Sequence, residues 1–122
     1  ANDFGDSIRF GASTAEEDER DLDKVHFDIH LYELYVKGYL EAAGDVLTQA
    51  ERDSLPWGAR LMTLECGMRF LTDYLQGDGY FKTAYPEHNL VRARTQFKLV
   101  KEMEEQFEEM CRIVQNSRIG KQ

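Results

Sequence analysis

Apolar positions recur at steps of three and four along most of this chain. That period puts them on one face of an α-helix. The clearest run is Trp57, Leu61, Leu64, Met68, Leu71 and Leu75, with steps of 4, 3, 4, 3 and 4. It predicts a helix from Pro56 to the Gly77-Asp78-Gly79 turn, with this stripe as its core-facing side. A second run, Leu90, Ala93, Phe97, Val100, Met103, Phe107, Met110 and Val114, keeps the same spacing. It predicts one continuous helix from Pro86 to about Asn116, roughly 45 Å long at 1.5 Å per residue. Its charged face includes Lys101, Glu102, Glu105, Glu108, Glu109 and Arg112. No segment shows the strict alternation of a strand.

End signals divide the rest. Asp3 to Gly11 reads as a short helix with Asp3 as a possible cap. Asp28 caps a helix to about Ala43, where Gly44 is placed to stop it. Its apolar residues are Leu31, Leu34, Tyr35, Tyr39 and Leu40. Thr48-Gln49-Ala50-Glu51 matches a capping box and opens a short helix ending before Pro56. Pro56 suits the first turn of the next helix. Ser13 to Val25 is polar and reads as loop with a turn of helix. The fold class expected is all-α: an irregular bundle on two long helices, residues 1–122 forming one helical unit.

The 122 residues suffice for one modest core. The 42% hydrophobic and 31% charged composition belongs to a globular chain rather than a disordered one. A formal charge of −8 argues against nucleic acid and anionic membrane as partners. The acids concentrate in Glu16 to Asp23, read as a solvated loop. Cys66 and Cys111 sit in helical patterns without a CxxC spacing. They read as reduced, buried thiols of a cytoplasmic protein. The chain begins without Met, which suggests processing or excision from something larger.

Candidate chemistry is sparse. No GxGxxG, Walker A, GxSxG or HExxH sequence occurs. His26 and His30 are four apart, but Asp28 as a cap leaves His26 outside the helix, and a third ligand is not evident. No metal site is expected. His88 is expected to pack or cap at the start of the last helix. Arg69 lies on a helical strip with Met62, Cys66 and Asp73. It reads either as a buried ion pair with Asp73 or Glu65, or as a ligand clamp whose guanidinium fork suits hydroxyls and anions. Tyr80 and Phe81 follow a glycine turn and either anchor it or wall a pocket. Phe10, at the end of the first helix, reads alone as core.

Asp3-Phe4-Gly5 matches the metal-binding signature of protein kinases. Only Ala1 and Asn2 precede it, so the phosphate cradle and catalytic loop that lie upstream in a kinase are not in front of it. Nor does an APE sequence follow.

The run Asp3-Phe4-Gly5-Asp6-Ser7-Ile8-Arg9-Phe10-Gly11-Ala12 resembles a segment of bacterial N-acetylhexosamine 1-kinases. These belong to the aminoglycoside phosphotransferase superfamily, which has a protein-kinase-like fold. Three further stretches resemble the family in the same order. They are Leu64-Glu65-Cys66-Gly67-Met68-Arg69-Phe70-Leu71-Thr72-Asp73-Tyr74-Leu75, then Tyr80-Phe81, then Glu87-His88-Asn89-Leu90-Val91-Arg92 with Arg94-Thr95-Gln96. The resemblance implies the C-terminal helical part of a kinase large lobe, with catalytic base and metal ligands in a missing N-terminal portion. It implies no cofactor in this segment, and ATP with Mg²⁺ for the whole enzyme. It implies that Arg69 hydrogen-bonds a hexosamine while Phe10 and Tyr80 line its pocket, and that Asp3 and Asp6 give structural support. The implied reaction is phosphoryl transfer from ATP to the anomeric hydroxyl of N-acetylglucosamine or N-acetylgalactosamine. Gly79 stands where the resemblance expects a β-branched residue, which implies a more flexible loop before Tyr80. The alternatives are a kinase for another small alcohol, and a stand-alone interaction module that dimerises through the last helix.

Overall fold

Asp28 shows how local chemistry starts each helix. Its carboxylate accepts the His30 and Leu31 amides at 2.9 and 3.1 Å and opens a helix at Ile29. In the computed structural model, which describes residues 2–119 and the side chains of 4–117, six helices follow one another. They are α1 (Asn2–Gly11), α2 (Ile29–Ala43), α3 (Gln49–Asp53), α4 (Leu55–Leu75), α5 (His88–Glu105) and α6 (Phe107–Ile119). Short 3₁₀ turns lie at Leu22–Lys24 and Gly44–Val46. The described residues contain no strand beyond an isolated Ser13–Phe27 bridge, so the fold is an all-α bundle. None of their helices is long and apolar enough to cross a membrane. The cap expected at Asp3 lies outside the described side chains.

The capping box forms as expected, with Thr48 and Glu51 bonding reciprocally at 3.0 and 3.1 Å. Gly44 ends α2 differently from the expectation. It keeps right-handed geometry, φ −58°, and leads into the 3₁₀ turn. Within α2 the buried face is Tyr32, Val36 and Leu40, while Leu34 and Tyr35 point outward. Phe4, from the Asp-Phe-Gly run, is core: its ring meets Tyr32 at 6.3 Å and Tyr39 at 5.1 Å.

α4 departs most from its sequence pattern. Its buried positions are Leu55, Pro56, Ala59, Thr63, Gly67, Phe70 and Asp73. The large apolar residues Trp57, Leu61, Met68 and Leu75 are exposed. Leu61 and Thr63 differ by two residues, about 200° of helical rotation, so the buried face is nearly opposite the predicted one. The reason is close approach. Small residues at 59, 63 and 67 let α4 press its backbone against α5 and α1, its most extensive contacts. A Cβ on Gly67 would stand 2.7 Å from the Phe97 ring, and one on Gly5 would stand 2.9 Å from the Gly58 carbonyl oxygen. The Thr63 hydroxyl donates to the Ala59 carbonyl at 2.8 Å, so burying it leaves no free donor.

This packing carries a prediction. Gly67→Val will destabilise the fold by about 1–3 kcal/mol, the usual cost of overpacking. Gly38→Ala, in the exposed middle of α2 where a Cβ meets nothing within 4 Å, will stabilise it by about 0.5–1 kcal/mol. Urea denaturation of the two variants checks both signs.

The single long C-terminal helix is in fact two. Gln106 leaves helical geometry (φ −112°, ψ 16°), and its N–H turns to the Glu102 and Met103 carbonyls. The break sends α6 onto α2, while α5 stays on α4. Trp57 and Phe107 meet edge to face at 4.5 Å beside it, and Arg60 pairs with Glu104 at 3.2 Å. Both halves keep their predicted stripe inward, with Met103, Met110 and Val114 buried.

Candidate functional site

The turn after α4 takes its shape from one carboxylate. Gly77 and Asp78 both adopt positive φ, 98° and 62°, which reverses the chain. Buried Asp73 then accepts the amides of Tyr80 at 2.8 Å and Phe81 at 3.0 Å. It also accepts Asn89 Nδ2 at 2.7 Å, and the same amide nitrogen donates to Asp78 at 3.1 Å. The Phe81 N–H is the main reason that the Asp73 carboxyl titrates below its ordinary value; burial opposes it, and Tyr80 and Asn89 add to it. Loop, α4 and α5 are thereby tied at one point. The flexibility implied by Gly79 is countered, because the backbone just after it is held.

Phe81 packs on Phe70 with ring centroids 4.7 Å apart. Tyr80 meets Phe81 edge-on at 4.9 Å but is itself 83% exposed. Of this aromatic pair, then, one anchors the turn and the other stands at a rim.

The acidic segment is not a free, solvated loop. Glu17 is half-buried and pairs with buried Arg9. Its carbonyl accepts the Thr95 hydroxyl at 2.6 Å, and the Leu22 carbonyl accepts Lys98 Nζ at 3.0 Å. Asp18 accepts His88 Nε2–H at 3.0 Å, a role fixed because His88 Nδ1 accepts the Ala84 N–H. Glu102, expected on the exposed charged face, instead turns in to accept the Phe27 N–H at 2.8 Å and to meet His26 at 2.9 Å. Burial alone would raise the Glu102 carboxyl; the Phe27 N–H, His26 and the Lys98 ammonium at 3.5 Å together outweigh it and hold it low. His26 is therefore committed to this contact and to the Asp23 carbonyl at 2.8 Å. Among the described residues no three His, Cys, Asp or Glu side chains converge on a metal position.

Two concavities meet at Arg69. A groove of about 670 Å³ runs along the outward face of α4, lined by Leu61, Leu64, Met68, Arg69, Tyr80 and Phe81 among others. A cleft of about 470 Å³ lies between α1, α4 and the turn, with Phe10, Cys66, Arg69, Phe81, Lys82 and Arg92 in its lining. Arg69 is neither buried nor paired with Asp73. It is 68% exposed and donates to Glu65 at 2.8 Å. Phe10 is 58% exposed rather than core, with the Arg9 guanidinium over its ring at 4.0 Å. Arg9 is held by Asp6, at 3.0 Å, and by Glu17.

Thus Phe10 and Arg69 share the cleft, and Arg69 and Tyr80 share the groove. Phe10 and Tyr80 share neither. The cleft offers ring faces for apolar C–H surfaces and guanidinium donors for hydroxyls or anions. Burial pushes the Cys66 thiol up, so it is a protonated, apolar part of the wall rather than a nucleophile. Sequence reasoning missed Asp73 as the organiser of the turn, and missed Lys82 and Arg92 as lining residues. The Gly77-Asp78-Gly79 turn just after it hinted at the first. Nothing local marks the other two. No protein-family model matches the chain.

Proposed function

We propose that this chain is the sugar-binding helical part of the large lobe of a protein-kinase-like phosphotransferase, resembling N-acetylhexosamine 1-kinases. The observation that carries this reading is the cleft shared by Phe10 and Arg69, distant in sequence, beside a turn clamped by Asp73. A ring face and an arginine fork suit a hexosamine, whose surface alternates C–H patches with hydroxyls. Arg69 would hold the sugar so that its C1 hydroxyl faces a base in the kinase portion. ATP and Mg²⁺ would be bound by that portion, and no residue of this segment is assigned to them. Catalysis of this kind rests on positioning and electrostatics, and this segment would supply positioning.

A second observation supports the same reading. Trp57, Leu61, Met68 and Leu75 form an outward apolar stripe on α4 next to the cleft. Large exposed apolar patches mark interaction surfaces. This one would be covered by the kinase portion. The alternative of a module that dimerises through the last helix loses its surface, because that helix's stripe is buried inside the bundle.

The test is an ATP-dependent phosphorylation assay on the protein expressed from its full reading frame, with N-acetylglucosamine and N-acetylgalactosamine as acceptors. Turnover is expected on at least one. Arg69→Ala should lower kcat/KM by roughly ten- to a hundredfold, the loss of one or two hydrogen bonds to a charged donor. Absence of turnover on any hexosamine overturns the proposal. An unchanged kcat/KM in Arg69→Ala removes Arg69 from the site.

A further inference from the structure

We propose that the cleft also recognises an anionic group, a phosphate monoester or a carboxylate, through Arg92 and Lys82. The inference deepens the sugar reading above and rests on it for the size of the ligand.

Four cations line the cleft, Arg9, Arg69, Lys82 and Arg92, against three carboxylates, Asp6, Glu17 and Glu65. The carboxylates are already taken. Asp6 and Glu17 hold Arg9, and Glu65 holds Arg69. Arg92 and Lys82 have no carboxylate partner among the described residues. A cleft with surplus positive charge stands out in a chain of net charge −8.

Arg92 is also held in place. Its Nη1 donates to the Lys82 carbonyl and to Asn89 Oδ1, both at 3.0 Å. Its guanidinium carbon stands 5.5 Å from the centre of the Phe70 ring. Asn89 is fixed in turn by Asp73. One nitrogen therefore fixes the side chain, while Nη2 and Nε make no hydrogen bond to any described residue. Two free nitrogens of a planar fork match two oxygens of a carboxylate or phosphate. The bond from Arg92 to the Lys82 carbonyl holds the Lys82 main chain beside that fork, and Lys82 also lines the cleft. A sugar carrying an anionic substituent fits this chemistry better than the neutral sugar does.

The test is calorimetric titration of this chain, at low salt, with N-acetylglucosamine, its 1-phosphate, glucuronate and inorganic phosphate. An anionic sugar is expected to bind at least about tenfold more tightly than the neutral one, a preference that falls with added salt. A stronger response to the 1-phosphate assigns a phosphate site, and a stronger response to glucuronate a carboxylate site. In Arg92→Met the anionic-to-neutral preference should fall to within about twofold of parity, and Arg92→Lys should keep part of it. Helical circular dichroism confirms that each variant is folded. Equal affinity for neutral and anionic sugars overturns the inference, as does a preference that survives in both Arg92→Met and Lys82→Met, or binding of none of the four compounds. Anion binding that requires Arg92, with no response to the neutral sugar, supports the anion site and removes the hexosamine reading.

Discussion

Tyr32→Ala will lower the free energy of unfolding by about 3–5 kcal/mol, the range for deleting a buried aromatic ring. Tyr32 is fully buried at the meeting point of four segments. Its ring lies edge to face with Phe4 of α1 at 6.3 Å and with Phe27 of the loop at 5.6 Å. Its hydroxyl donates to the Met110 carbonyl of α6 at 3.1 Å. Deletion opens a cavity where α1, α2, α6 and the loop converge. A domain of this size has a total stability of about 5–15 kcal/mol, so the loss is a large share of the whole. Tyr32→Phe keeps the ring and removes only the hydrogen bond, for about 0.5–1.5 kcal/mol. Urea unfolding of the pair separates packing from hydrogen bonding. Equal losses in both variants would mean that the hydroxyl, not the ring, carries the contact. Burial also pushes the Tyr32 phenol well above its ordinary range, so the fold loses stability as pH rises past the ordinary tyrosine value of about 10.

Asp73→Ala has the second large effect, on the site more than on the bundle. It removes the acceptor for the Tyr80 and Phe81 amides and for Asn89. Asn89 also accepts from Arg92, so the change loosens the anion-facing arginine at the same time. Amide exchange at Tyr80 and Phe81 is expected to accelerate by about tenfold or more, because exchange follows the local opening free energy. Amides in the middle of α5, away from this contact, should be far less affected. Uniform acceleration across the chain would instead show that Asp73 supports the whole fold.

Acid should mimic that substitution. The Asp73 carboxyl is held below its ordinary value in the folded protein. Its contribution is therefore complete above the unfolded value of about 3.9. It fades as pH falls below that point and is gone once the lowered folded value is passed. The Tyr80 and Phe81 amide resonances should titrate with a midpoint below 3.9, and in Asp73→Asn that titration should vanish.

These expectations rest on residues of unequal legibility. Asp28, the Thr48–Glu51 box, Pro56 and Gly77-Asp78-Gly79 could be read directly, since a cap or turn involves residues a few positions apart. The period-3.6 pattern likewise identified the helices and correctly oriented the stripe that runs through α5 and α6. It failed on α4. There, hydrophobicity favours one face and closeness of approach the other, and the small residues at 59, 63 and 67 prevailed because α1 and α5 can press against them. The break at Gln106 carries neither Pro nor Gly, so no local signal announced it. Phe10 was picked out by resemblance and Arg69 first by its place on the helical strip, and the structure puts them in one cleft, though on its surface rather than in the core. Asp73 was seen only as a possible partner of Arg69. Its true partners lie in the following turn and on α5, and are set by how α4 and α5 meet.

The sequence by itself determined that this is an all-α chain, where most of its helices start and stop, and where it turns back after α4. Those are local choices, settled by caps, glycines and periodicity within a few residues. Only the tertiary structure decided which face of α4 is core, that the acidic segment is strapped to α5, and that Arg92 and Lys82 stand beside Arg69 and Phe10. Each of these depends on contacts between segments far apart in the chain, whose energies no local pattern encodes.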